Sequence, residues 1–149
     1  MEKLKGALAV GFLRLFALLP WGAVQVTGSA IGWLMWKLPN GSREVVRINL
    51  AKCFPELSAA ERERLVGQTL RDIGKTFTES ACAWIWPVER TLGLVREVEG
   101  LEVLQAALAS GKGVVGVASH LGNWEVLNHY FCSQCKPVIF YRPPKLQAL

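Results

Sequence analysis

The chain has 149 residues, of which 51% are hydrophobic and 19% are charged, and its formal net charge is +5. This composition excludes an intrinsically disordered or collagen-like chain, because the apolar content is sufficient for a buried core. The length is typical of one domain. A basic and apolar chain suits an anionic membrane surface as well as nucleic acid, so composition does not choose between these partners.

Residues 1–38 are predicted to form a membrane-anchoring segment. The 22 residues from Leu15 to Trp36 carry no charge, and as one helix they would reach about 33 Å, enough to cross a bilayer. Trp36 and Lys37 end this run with residue types that are common at membrane interfaces. Pro20 is expected to kink or break the helix. The segment is therefore predicted to be a transmembrane helix.

A second interpretation of the same segment stays open. Lys3, Arg14 and Gln25 are spaced eleven residues apart, which is nearly three helical turns, so they would share one face. A helix with one weakly polar stripe would lie in the membrane interface instead of spanning the bilayer.

Residues 39–93 are predicted to form a helical region. Ser42 is the expected N-cap of a helix that begins at Arg43 and ends at Phe54 and Pro55.

A second helix of this region has clear signals at both ends. Ser58 followed by Glu61 has the spacing of a capping box, and Pro87 is expected to end the helix just after Trp86. Side chains at i, i+4 spacing predict its buried face. These side chains are Leu65, Thr69, Ile73, Phe77 and Ala81.

Residues 94–149 are predicted to form an incomplete α/β catalytic domain. Strand-like and helix-like patterns alternate here, which indicates α/β architecture with a mostly parallel sheet. The predicted strands are Leu94 to Glu99, Gly113 to Ala118 and Pro137 to Tyr141, and the helices are Leu101 to Ser110 and Asn123 to Cys135.

Polar residues follow the second predicted strand, where α/β proteins usually bind their ligands. His120 comes first, Gly122 permits a tight turn, and Asn123 is a good helix N-cap. Glu125 then falls in the first helical turn. Across such a junction the carboxylate can accept a hydrogen bond from the imidazole, which suits His120 as a general base that activates a hydroxyl. A packed histidine and a carboxylate that interacts with the helix dipole remain the structural alternative.

The segment from Gly111 to Glu125 resembles the core motif of the bacterial lipid A biosynthesis acyltransferases, the late lauroyl- and myristoyl-transferring enzymes, which have a His-x4-Glu or His-x4-Asp dyad. Three further stretches resemble the N-terminal half of that family. They are the apolar N-terminus, the stretch from Arg43 to Pro55, and Tyr141 to Pro143.

The resemblance implies a fold like that of the glycerolipid acyltransferases and an acyl transfer onto a lipid A precursor. His120 would be the general base and Glu125 its partner, and Arg142 and Asn123 are assigned to substrate binding. The implied donor is an acyl-acyl carrier protein, at the cytoplasmic side of the bacterial inner membrane and in contact with its lipids. Neither a metal, nor a cofactor, nor nucleic acid is expected.

Two alternatives to this function stay open. Glycerolipid acyltransferases have a similar His-x4-Asp dyad, although Trp124 and Glu125 favour the lipid A family. A non-catalytic, membrane-anchored scaffold is the other. Family members are roughly twice as long as this chain, so a fragment is expected, and the fragment alone is expected to be inactive.

Overall fold

A computed structural model describes residues 2–119 and 121–140 of the chain. In these residues the secondary structure is entirely helical. The helices are α1 (Glu2–Ala17), α2 (Trp21–Lys37), α3 (Gly41–Cys53), α4 (Ala59–Ile85), α5 (Val88–Leu92), α6 (Leu101–Ala109) and α7 (Trp124–Gln134).

The prediction of an α/β fold with a parallel sheet is wrong for the described part of the chain. Residues 94–99, 113–118 and 137–140 form no strand there, and residue 141 of the third predicted strand lies outside the described residues. The physical reason is visible in the side chains, because Val115, Val117 and Val138 are each more than nine-tenths exposed. A parallel strand needs neighbouring strands and helices that cover both of its faces, and the exposure of these three valines shows that such cover is missing there.

The predicted membrane-spanning helix is also wrong. Pro20 interrupts the charge-free run and separates α1 from α2, helices of 16 and 17 residues, which confirms that this proline breaks the helix. Each piece is shorter than the roughly 20 residues that a bilayer crossing requires. Among residues 2–119 and 121–140, no helix is both long and apolar enough to cross a membrane.

The core lies where α2 crosses α4. Val24, Val66 and Leu70 are almost completely buried at this crossing. The backbones approach closely because both helices present glycine: a Cβ on Gly28 would lie 2.5 Å from Thr78 Oγ1, and a Cβ on Gly74 would overlap the Gly28 carbonyl oxygen.

The predicted buried face of α4 is rotated from the observed one. Ile73 and Phe77, expected in the core, are 41% and 51% exposed. The small residues Gly67 and Gly74 lie on the neighbouring face, and that face packs against α2 because only small side chains permit so close a crossing.

The ends of α3 and α4 test the capping predictions. The box at Ser58 and Glu61 is confirmed, since each side chain bonds the other residue's backbone N–H. Ser42 is not the N-cap of α3: Asn40 takes this role, and its Oδ1 accepts a hydrogen bond from the Arg43 N–H at 2.9 Å. Asn40 precedes Ser42 by two residues, so the helix begins earlier than its serine indicated.

Glu63 ties α3 and the end of α2 to α4. Its carboxylate accepts hydrogen bonds from Arg47 Nε and Nη2 at 2.9 and 2.8 Å and from Trp36 Nε1 at 2.8 Å. The pKa of the Glu63 carboxyl is lowered from its ordinary value of 4.5, mainly by the hydrogen bonds from Arg47. Burial of the carboxyl acts in the opposite direction and raises this pKa.

Trp86 joins the C-terminal end of α4 to α1. Its indole Nε1–H donates to the Ala17 carbonyl oxygen at 2.7 Å in a buried position. Arg90 of α5 lies over the same ring, with its guanidinium carbon 3.7 Å from the ring centroid. Through this hydrogen bond α1 is held against the end of α4, beside the pair of α2 and α4.

Candidate active site

The start of α7 has the local geometry that the sequence predicts. Gly122 has a φ of 72°, a conformation that glycine adopts without strain. Asn123 is the N-cap, and its Oδ1 accepts a hydrogen bond from the Glu125 backbone N–H at 3.1 Å. The predicted turn and N-cap are therefore confirmed, and Glu125 lies in the first turn of α7.

Glu125 lines an open hollow of about 360 Å³ between α1, α4 and the start of α7. Most of the lining is aliphatic or aromatic. The lining residues are Leu13, Ile73, Thr76, Phe77, Ser80, Trp84, Trp124 and Glu125. Ligand sites are usually lined by apolar side chains with a few polar groups, and the Glu125 carboxylate is one polar group of this lining.

Glu79 of α4 holds the N-cap of α7 in place. Asn123 Nδ2 donates to Glu79 Oε2 at 3.2 Å, and Gln25 Nε2 of α2 donates to Glu79 Oε1 at 2.6 Å. Both polar ends of the Asn123 side chain are thus engaged by the protein. The assignment of Asn123 to substrate binding stays a prediction.

His120 and Arg142, the predicted base and the predicted basic contact, lie outside the described residues. Their roles stay predictions. His129 is one turn beyond Glu125 on α7, and its Nδ1 is buried without a hydrogen-bond partner in the described part of the chain. Glu125 and Asn123 are accordingly the two predicted site residues that the described structure brings together.

Sequence reasoning missed Glu79 and misinterpreted Ile73 and Phe77. The apolar pair carried a signal, the i, i+4 spacing on α4, but this was interpreted as a core face and the pair lines the hollow instead. Glu79 carried no signal, because its partner Asn123 is 44 positions away in the sequence.

Comparison with known proteins places the chain in a family. The model of the bacterial lipid A biosynthesis acyltransferases matches residues 2–149. The lipid A biosynthesis palmitoleoyltransferase of Escherichia coli (strain K12) is 32% identical over 141 residues, which cover 94% of this chain and 45% of that protein. The lauroyltransferase of the same organism is 30% identical over 136 residues, or 91% and 44%.

A further relative is the lipid A biosynthesis acyltransferase of Haemophilus influenzae, with 34% identity over 112 residues, or 74% of this chain and 36% of that protein. The chain thus spans less than half the length of these relatives. No solved structure matches it significantly. Because the family model covers nearly every residue, the chain belongs to the bacterial lipid A biosynthesis acyltransferase family.

Proposed function

We propose that the protein transfers a fatty acyl chain from an acyl-acyl carrier protein to a hydroxyl of a lipid A precursor. Family membership supports the lipid A class of acceptor. The observation that carries the proposal is the position of Glu125, whose carboxylate borders a hollow lined by side chains such as Ile73, Phe77 and Trp84. Such a lining suits a hydrocarbon chain, because burial of each methylene contributes about 0.8 kcal/mol.

In the proposed reaction His120 takes the proton from the acceptor hydroxyl as its oxygen attacks the thioester carbon. The carbon–sulfur bond then breaks, and the imidazolium gives its proton to the departing thiolate, which leaves as the thiol of the carrier protein. Glu125 accepts a hydrogen bond from the second imidazole nitrogen, which fixes the tautomer and stabilises the imidazolium. Arg142 is the proposed substrate contact, and it would meet a phosphate or the developing oxyanion.

The test of this mechanism is a pair of histidine variants. In the purified full-length protein, His120→Ala is expected to lower turnover by about two to four orders of magnitude, the usual contribution of a general base. His129→Gln is the matched control, because this second histidine has no role in the proposal, and it should leave turnover unchanged. Turnover like that of the wild type in His120→Ala, measured with acyl-acyl carrier protein and lipid A precursor, would contradict the mechanism.

We also propose that residues 1–38 attach the protein to the cytoplasmic surface of the inner membrane. Leu8 and Leu15 lie two turns apart on α1 and are 66% and 60% exposed. Exposed leucines on one face of a helix suit insertion into the membrane interface. Lys37 at the end of α2 adds a positive charge that would attract anionic lipids.

A vesicle flotation experiment tests the membrane contact. The double variant Leu8→Glu/Leu15→Glu is expected to bind phosphatidylethanolamine–phosphatidylglycerol vesicles at least about tenfold more weakly. The reason is that two charged side chains replace two leucines that would insert into the membrane interface. Val103→Glu is the control, since Val103 on α6 is 68% exposed and outside the proposed surface. Equal loss of binding in both variants would contradict the role of α1.

A further inference from the structure

The carboxylate of Glu79 connects three helices. It lies on α4, half-buried, and each of its oxygens has a different partner. Oε1 accepts from Gln25 Nε2 of α2 at 2.6 Å, and Oε2 accepts from Asn123 Nδ2 at the start of α7 at 3.2 Å. The two oxygens of one side chain therefore link the helical pair to the segment that carries Glu125.

The orientation of the Asn123 amide is fixed from its other end. Its Oδ1 accepts from the Glu125 backbone N–H at 3.1 Å, so the donor Nδ2 must face Glu79. Asn123 caps α7 and at the same time fastens it to α4. Because Glu125 is only two residues further, any shift of the Asn123 side chain would move the first turn of α7.

We propose that Glu79 is a positioning residue that holds Glu125 in its working place through Asn123. The inference rests on the proposed function, since it assigns to Glu79 the task of aligning the carboxylate of the proposed dyad. Catalytic groups are sensitive to such alignment: a displacement of about 1 Å can lower a rate by about a hundredfold. Glu79 itself acts only through its hydrogen bonds and touches no reacting atom.

The experiment reverses the polarity of the Glu79–Asn123 hydrogen bond. Asn123→Asp keeps an N-cap acceptor, but it sets a second carboxylate against Glu79. Glu79→Gln keeps an oxygen for Gln25, but it sets an amide N–H₂ against that of Asn123. The double variant Glu79→Gln/Asn123→Asp restores one donor and one acceptor at this contact, while the bond to Gln25 and the cap of α7 are both kept.

The expected result in the whole protein is a loss in each single variant and a recovery in the double one. Each single change should lower kcat about tenfold, the order expected for one lost hydrogen bond to a charged group, with KM changed less than about twofold. The backbone amides of Glu125 and Leu127, which both bond to Asn123, should also exchange hydrogen faster. The double variant should regain kcat to within about threefold of the wild type and regain slow exchange.

Two further variants separate positioning from charge and from unfolding. Glu56→Gln removes one carboxylate from an exposed site between α3 and α4 and should change neither kcat nor exchange. Asn123→Ser keeps a good N-cap but has no amide to reach Glu79. It should therefore lower kcat while circular dichroism shows unchanged helix content.

Clear outcomes overturn the inference. If the losses in kcat of the two single variants simply multiply in the double variant, Glu79 and Asn123 act independently. If the double variant regains slow hydrogen exchange but not kcat, the Glu79–Asn123 hydrogen bond holds α7 in place but has no role in turnover. Either result, with transfer abolished by His120→Ala, defeats the positioning inference alone. Undiminished transfer in His120→Ala instead defeats the proposed function, whatever the behaviour of Glu79.

Discussion

Gly28 of α2 and Gly74 of α4 meet backbone to backbone, so that a Cβ at position 74 would overlap the carbonyl oxygen of Gly28. The hydroxyl of Thr78, one turn further along α4, donates to the Val24 carbonyl oxygen at 3.1 Å in the same buried contact. This close crossing also brings Gln25 within hydrogen-bond distance of Glu79. The distance between α2 and α4 thus determines whether Gln25 can reach the Glu79 carboxylate.

Gly74→Ala is expected to lower the free energy of unfolding by about 1–3 kcal/mol, because the new methyl group must push α2 away from α4. Urea denaturation followed by circular dichroism measures the change. Gly22→Ala is the matched control, since Gly22 is also helical but has no neighbouring atom within 4 Å of a built Cβ. The control should be neutral or stabilise by up to about 1 kcal/mol through helix propensity. Equal effects at the two positions would contradict the close crossing.

Trp86→Phe is expected to destabilise the protein by about 1–3 kcal/mol, because the buried Ala17 carbonyl oxygen loses its donor. The phenyl ring keeps most of the apolar contact, so the lost hydrogen bond is the main part of this change, with a smaller packing loss where the indole was larger. Trp33→Phe serves as control, since Trp33 on α2 is 45% exposed. A smaller loss of unfolding free energy at Trp86 than at Trp33 would count against a structural role for the indole N–H.

Features that depend on a few neighbouring residues were predictable from the sequence. The capping box at Ser58 and Glu61, the break at Pro20 and the cap at Asn123 are each decided within one helical turn or less. The wrong N-cap predicted for α3 also has a local cause. Asn40, two residues before Ser42, is an equally good cap and takes this role.

Features that depend on distant partners were not predictable. On α4, the faces through Ile73 and through Gly74 both have i, i+4 spacing, and only the crossing with Gly28 selects the second. The β-branched run at Val115 and Val117 has the residue types of a buried strand. It forms none, because strand formation needs a pairing partner that residues 2–119 and 121–140 do not provide.

Acidification is expected to weaken the attachment of α3 to α4. The folded-state pKa of Glu63 is lowered, so its ion pair with Arg47 stabilises the protein above the ordinary pKa of 4.5, and this stabilisation is lost as the pH falls through the folded-state pKa. Glu63→Gln should therefore be less stable than the wild type at about pH 7 and lose less stability between about pH 5 and pH 3.

Urea unfolding across this pH range measures the effect of Glu63→Gln. Because the Glu63 side chain is 40% exposed, the pH dependence should shrink as salt is added. Glu56→Gln, at an exposed position, should keep the acid dependence of the wild type. An unchanged slope in Glu63→Gln would show that the Arg47 contact contributes nothing to stability.

The apolar hollow beside Glu125 predicts a selective effect of charge on substrate affinity. Ile73→Glu would place a carboxylate in the lining of the hollow. A hydrocarbon chain that binds there would have to remove water from this carboxylate, which makes binding less favourable. Because Ile73 is 41% exposed, the variant should fold normally. We expect KM for the long-chain acyl substrate to rise at least about tenfold, the equivalent of about two lost methylene contacts.

Ile48→Glu makes the same substitution at a position on α3 that is 46% exposed and does not line the hollow. It should leave KM unchanged, so that the comparison separates a local effect from the added negative charge. A series of acyl donors sharpens the comparison, because each methylene seated in the hollow adds binding energy that Ile73→Glu would remove. The penalty in Ile73→Glu should therefore grow with chain length. If Ile73→Glu raises KM equally for short and long donors, the acyl chain binds elsewhere, and the hollow beside Glu125 is not the acyl-chain site.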